Sequence, residues 1–96
     1  MIQAKQCKGE RIREVLTNEN FRAIMYTNKD EALLGIYRKK YPMYYPVAVY
    51  SLLKFIEQLI IKDNMTEEEA MRYYEEFIAN KSEMEDAPIF IDDTGV

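Results

Sequence analysis

The chain of 96 residues has no histidine and no tryptophan, one cysteine, three glycines and three prolines. Without an imidazole, histidine-based zinc sites and the Ser-His-Asp and Cys-His nucleophile systems lack a ligand or a base. One thiol, Cys7, closes no intramolecular disulfide, so folding does not depend on oxidation. Gly9, Gly35 and Gly95 lie too far apart to cradle a phosphate. Lys5, Lys8, Arg11 and Arg13 break up any apolar leader near the start. The apolar run from Val47 to Ile61 is too short for a bilayer and carries Lys54 and Glu57. These absences predict a soluble, cytoplasmic protein with no membrane partner, no cofactor, no metal and no catalytic residues.

What is present belongs to a folded protein. Hydrophobic residues make up 48%, with eight tyrosines and four phenylalanines, too apolar and aromatic for intrinsic disorder. The length suits one small domain over 1–96, with flexible ends expected at 1–8 and 92–96. The net charge of −4 is unevenly spread. Residues 1–62 hold eleven Lys/Arg against six Asp/Glu, whereas 63–96 hold two against eleven. Such a split can create faces of opposite potential, although solvated helix faces would look the same.

Periodicity predicts mostly helix. Ile12, Val15 and Leu16 suggest a short helix over 9–17. Leu33, Ile36, Tyr37 and Tyr41 predict a second over 28–40, capped by Thr27 or Asn28 and stopped by Pro42. The most apolar stretch, PVAVYSLLKFIEQLIIK, predicts a central buried helix over 46–62 that starts with Pro46. Its wet stripe would be Ser51, Lys54, Gln58 and Lys62, with Val49, Leu52, Leu53, Ile56, Leu59 and Ile60 facing inward. Thr66 and Glu69 form a capping-box pattern, so a helix over 67–81 should follow, with Ala70, Tyr73, Tyr74, Phe77 and Ile78 inward. FRAIMY, 21–26, fits strand or helix, with strand slightly favoured, and Ile89-Phe90-Ile91 reads as a short strand. The expected fold is mainly α, a compact three- to four-helix domain around 46–62. A small α+β variant, with a two-stranded pairing of 21–26 and 89–91, remains open.

Two groups of side chains stand out as binding candidates. Tyr37, Arg38, Lys39 and Lys40, with Tyr44 and Tyr45, combine cations with rings and would suit nucleic acid or an acidic partner. The plainer reading puts Tyr37 in the core and the cations at a helix C-terminus. Glu67, Glu68, Asp92 and Asp93 would suit a basic partner; capping and solubility account for them equally well. The acids Glu67, Glu68, Glu69, Asp92 and Asp93 form no convincing metal site.

Met65, Thr66, Glu68, Glu69, Ala70, Tyr73, Glu76 and Phe77, followed by Pro88 to Asp93, resemble the C-terminal part of small uncharacterised proteins encoded by bacteriophages and prophages. The likeness covers about a third of the chain, and Ala87 stands where that group has threonine. It implies a mobile-element origin, a bacterial host cytosol and a helix followed by an extended tail, and it brings no activity with it. Together these readings point to a non-catalytic phage or prophage accessory protein that binds another protein, of host or phage, such as a defence or regulatory factor. Self-association and nucleic-acid binding at 37–45 stand as the alternatives.

Overall fold

The computed structural model describes residues 8–39, 45–81 and 84–95. Helix α1, Lys8–Glu19, leads through an extended segment to a 3-10 turn at Asp30–Ala32. Strands β1, Leu33–Lys39, and β2, Tyr45–Ser51, then form an antiparallel pair. Helix α2, Leu52–Lys62, follows β2 without a loop. Helix α3, Glu67–Tyr73, runs on as a π-wound turn at Tyr74–Ile78 and a 3-10 turn at Ala79–Lys81. Strand β3, Ile89–Ile91, closes the order and pairs parallel to β2, which lies between its two neighbours.

About half of the described residues are helical, so the mainly helical class with a small β component stands. The 9–17 helix forms and extends to Lys8–Glu19, and 67–81 is helical throughout from its Thr66–Glu69 capping box. Strand 89–91 also forms.

Three elements differ from expectation. The stretch 28–40 is not a helix: Asn28 turns left-handed at φ 63°, one 3-10 turn follows, and at Leu33 the backbone becomes extended. The helical spacing of Leu33, Ile36 and Tyr37 is overridden by pairing of Leu33–Lys39 with β2, a long-range contact that local pattern does not encode. The predicted helix 46–62 is strand as far as Ser51 and helix only from Leu52. As the middle strand, β2 has Val47, Ala48 and Tyr50 fully covered, and a strand buried on both faces reads as an unbroken apolar run. Finally, 21–26 is not a strand and does not pair with 89–91. It is held by single bonds: Ile24 N–H donates to the Asp86 carbonyl (2.9 Å) and Tyr26 N–H to the Tyr50 hydroxyl (2.9 Å).

The wet stripe is corrected too. Ser51 is buried as the N-cap of α2, its Oγ accepting from Lys54 N–H (3.1 Å) and donating to Asp93 (2.6 Å). Gln58 is also buried, and its amide donates to Glu31 (3.1 Å). Phe55, not counted among the inward residues, is almost wholly buried, whereas Leu53 reaches solvent. The core centres on Tyr50, Phe55 and Phe90, with Tyr50 and Phe90 stacked at 5.2 Å and Phe55 edge-on to both. Tyr26 and Tyr74 complete the aromatic cluster at its rim.

Candidate protein-binding face

Of the basic and tyrosine group, the structure places Tyr37 and Arg38 on β1, both exposed. Tyr37, half exposed at 51%, is not in the core. The guanidinium of Arg38 pairs with both oxygens of Glu19 on α1, which neutralises it locally. Lys40 and Tyr44 lie outside the described residues, and the side chains of Lys39 and Tyr45 are likewise not described.

The acidic group divides by role. Glu67 and Glu68 stand exposed in the first turn of α3. Asp93 instead caps α2 from outside the helix, taking hydrogen bonds from Ser51 Oγ and from Leu53 N–H (2.8 Å), which hold its carboxyl below the usual range. Asp92 accepts from the hydroxyl and amide of Thr94 and is lowered for that reason. Glu69 reaches back to Thr66 N–H (2.9 Å) and is lowered chiefly by that bond. Among the described residues no three Asp, Glu or Cys side chains come together in a way that could hold a metal ion.

The side chains that the sequence pattern misplaced are Tyr73 and Phe77. Along this helix the row Ala70, Tyr74, Ile78 turns inward. Tyr73 and Phe77 form the adjacent row and reach solvent, 38% and 55% exposed, their rings 5.2 Å apart. An apolar face one row wider than its cover explains this; the π-wound turn, which takes one more residue per hydrogen-bonded ring, begins at Tyr74. With Met65, Glu69, Arg72 and Glu76 the two rings line a shallow notch of about 230 Å³. Residues 67–81 carry five glutamates against one arginine and one lysine, so the rings sit in an acidic surround.

Tyr73 is also the wall of a second cavity, of about 300 Å³, that reaches toward the core between Tyr26, Phe55 and Leu59. Lys29, 5% exposed, lies on its polar side, its ammonium held by Asp63 (3.0 Å) and by the Thr27 carbonyl (3.4 Å). The left-handed turn at Asn28 bends the chain there. Burial pushes the Tyr26 phenol up, and the neighbouring Tyr73 and Tyr74 phenols push it further. Burial likewise takes Tyr50 up to about 12, so both rings stay neutral at any physiological pH.

The charge split has a structural counterpart. Arg13 pairs with Asp30 (2.5 Å), Arg38 with Glu19 and Lys62 with Glu31 (3.8 Å), all inside the basic stretch. Lys29–Asp63 reaches only the first acid of the acidic stretch. Among the described residues, Glu67 and Glu68 of α3 are exposed and form no ion pair with the basic stretch. No family model matches the chain, and neither does any curated protein or solved structure.

Proposed function

We propose that the protein acts by binding another protein, without catalysis, through the aromatic and acidic face of 67–81. The observation that carries this reading is the exposed Tyr73–Phe77 pair, on the last residue of the capped helix α3 and in the π-wound turn that continues it. Large rings left in water on a rigid element cost solvation, and such rings anchor protein interfaces with little entropy to lose. The glutamates around them favour a partner surface that combines apolar and basic side chains. They also oppose face-to-face pairing of two copies, which would bring like charges together. The C-terminal resemblance to phage and prophage proteins supports a partner in the bacterial host cytosol, of host or phage origin, with a defence or regulatory factor the natural class.

The test compares the wild-type protein with Phe77→Glu and Tyr73→Ala as immobilised baits in bacterial lysate. The expected result is a protein retained by the wild type, released by moderate salt, and lost with both variants while their circular dichroism stays unchanged. Retention that survives both substitutions would place binding elsewhere. Salt-sensitive retention of DNA or RNA, abolished when Arg38, Lys39 and Lys40 are all changed to Glu, would establish the nucleic-acid alternative instead. A dimer in sedimentation, lost in Phe77→Glu, would make a second copy the occupant.

A further inference from the structure

The open edge of the sheet is shaped for a second copy of the chain. Strand β1 is an outer strand in the order β1-β2-β3, and over Leu33–Tyr37 it carries neither charge nor proline. Edge strands are ordinarily blunted by charge, proline or short length, because their unpaired amides and carbonyls template further pairing. The opposite edge is blunted in this way: β3 has three residues and runs into Asp92 and Asp93.

Pro46 shows which main-chain groups β1 presents. It stands opposite Arg38, has no N–H to give, and its carbonyl accepts from the Asn20 side-chain amide (2.9 Å). The same amide donates to the Asp86 carboxylate (3.1 Å), and Asp86 falls beside Pro46 when the parallel register Val49↔Ile89 is continued back three residues. The Pro46 carbonyl therefore points to the β3 side, and Arg38↔Pro46 is a non-hydrogen-bonded pair. The pattern repeats every two residues, so Ile36↔Ala48 is another such pair, and the N–H and C=O of Ile36 look outward from the sheet. Among the described residues no backbone bond reaches Ile36 from that side.

The side chains choose the occupant. Ile36 packs on the core side with Ala48, so Gly35 and Tyr37 share the outer face. Tyr37 is half exposed, and a Cβ added at Gly35 would meet nothing within 4 Å. Two β1 strands paired antiparallel about Ile36 exchange the Ile36 N–H and C=O and set each Tyr37 opposite the other copy's Gly35. Pairs of that type bring side chains closer, and a ring across a glycine covers the backbone that glycine leaves bare. The strand is complementary to itself on both sides of the axis. The nearest described charge, Arg38, is neutralised by Glu19 of its own chain. We infer that two copies join through β1 in this register, merging their three-stranded sheets into one and using none of the residues of the 67–81 face.

Sedimentation equilibrium over a range of protein concentrations, with hydrogen exchange at the Ile36 amide, tests this. One short strand pair makes a small interface, so a concentration-dependent monomer–dimer equilibrium is expected, with Ile36 exchange slowing as dimer accumulates. Tyr37→Ala should weaken the dimer by about five- to thirtyfold, because symmetry removes two aromatic cross-strand contacts. Tyr37→Phe keeps the ring and should leave the dimer unchanged. Gly35→Val fills the space that the ring would cover and should also weaken the dimer. The monomer's melting temperature should hold or rise in that variant, since the position is open and valine favours strand. Where one of these variants fails to fold, the other decides. A monomer at every concentration, a dimer indifferent to both Tyr37→Ala and Gly35→Val, or a dimer lost in Phe77→Glu would each overturn the inference. Ile36 protection that appears only on adding a lysate protein would do so too, and would give the edge to a foreign strand. Lysate capture by the Phe77 face is read separately, so either reading can fail alone.

Discussion

Gly9 shows how much one missing atom decides. It is buried in the first turn of α1, where an added Cβ would lie 2.0 Å from the Asp30 carbonyl oxygen and 2.6 Å from its carbon. Those are backbone atoms, which cannot swing aside as a side chain does. The close approach lets Arg13, one turn further on, reach the Asp30 carboxylate twice and the Tyr26 carbonyl once (2.8 Å). Elsewhere in a helix, glycine to alanine stabilises by up to about 1 kcal/mol. Here α1 would have to move off the 26–30 segment, so Gly9→Ala should instead destabilise by about 1–3 kcal/mol, the usual cost of overpacking. Chemical denaturation of the two proteins measures the sign directly, and a gain in stability would mean that the contact is not kept in solution.

At the scale of the element, the junction of β2 and α2 depends on the C-terminal tail. A helix that starts directly from a buried strand exposes its first amides to an apolar setting. Ser51 satisfies one, and Asp93, forty residues later, satisfies another. Because folding holds the Asp93 carboxyl below its ordinary value, the stabilisation is complete above that value and is lost as the pH falls through the lower, folded one. Asp93→Asn keeps the acceptor oxygen and removes the titration. The variant should be less stable than the wild type at neutral pH, and the two should converge in acid; parallel curves across the whole range would remove Asp93 from the linkage. Glu69 and Asp92, lowered by their own hydrogen bonds, should leave a residual acid slope in both. This junction also shows what could be read in advance. The 67–81 helix was legible because its start is coded within four residues, Thr66 to Glu69. The boundary at Ser51 was not, since the run on either side is apolar for two different reasons: a strand covered on both faces, then a helix with one buried side. Strand β1 was missed because its partner sets its state, and its own spacing satisfies a helix equally well.

For the molecule as a whole, segments far apart in the sequence meet in the aromatic cluster. Phe90, on β3, touches Tyr26, Tyr50, Phe55 and Tyr74 with ring centroids 5.1 to 6.3 Å apart, so it joins the extended segment, β2, α2 and the π-wound turn. The candidate site draws on the same assembly. Its cavity takes Tyr26, Phe55, Asp63 and Tyr73 from separate stretches, and no spacing along the chain announces such a grouping. What the sequence did show was the acidic bias of the last third; it placed Tyr73 and Phe77 inward because it could not show how wide a cover the rest of the chain provides. If the cluster makes the described segments one cooperative unit, Phe90→Ala should destabilise the whole protein rather than fray its tail. The expected loss is about 3 kcal/mol, the low end for a phenylalanine because Phe90 is only partly covered. Near-ultraviolet dichroism of the tyrosines and far-ultraviolet dichroism of the helices should then shift together to a lower melting temperature. A variant in which the tyrosine signal melts early while the helices keep the wild-type midpoint would show instead that β3 is a separate, dispensable arm.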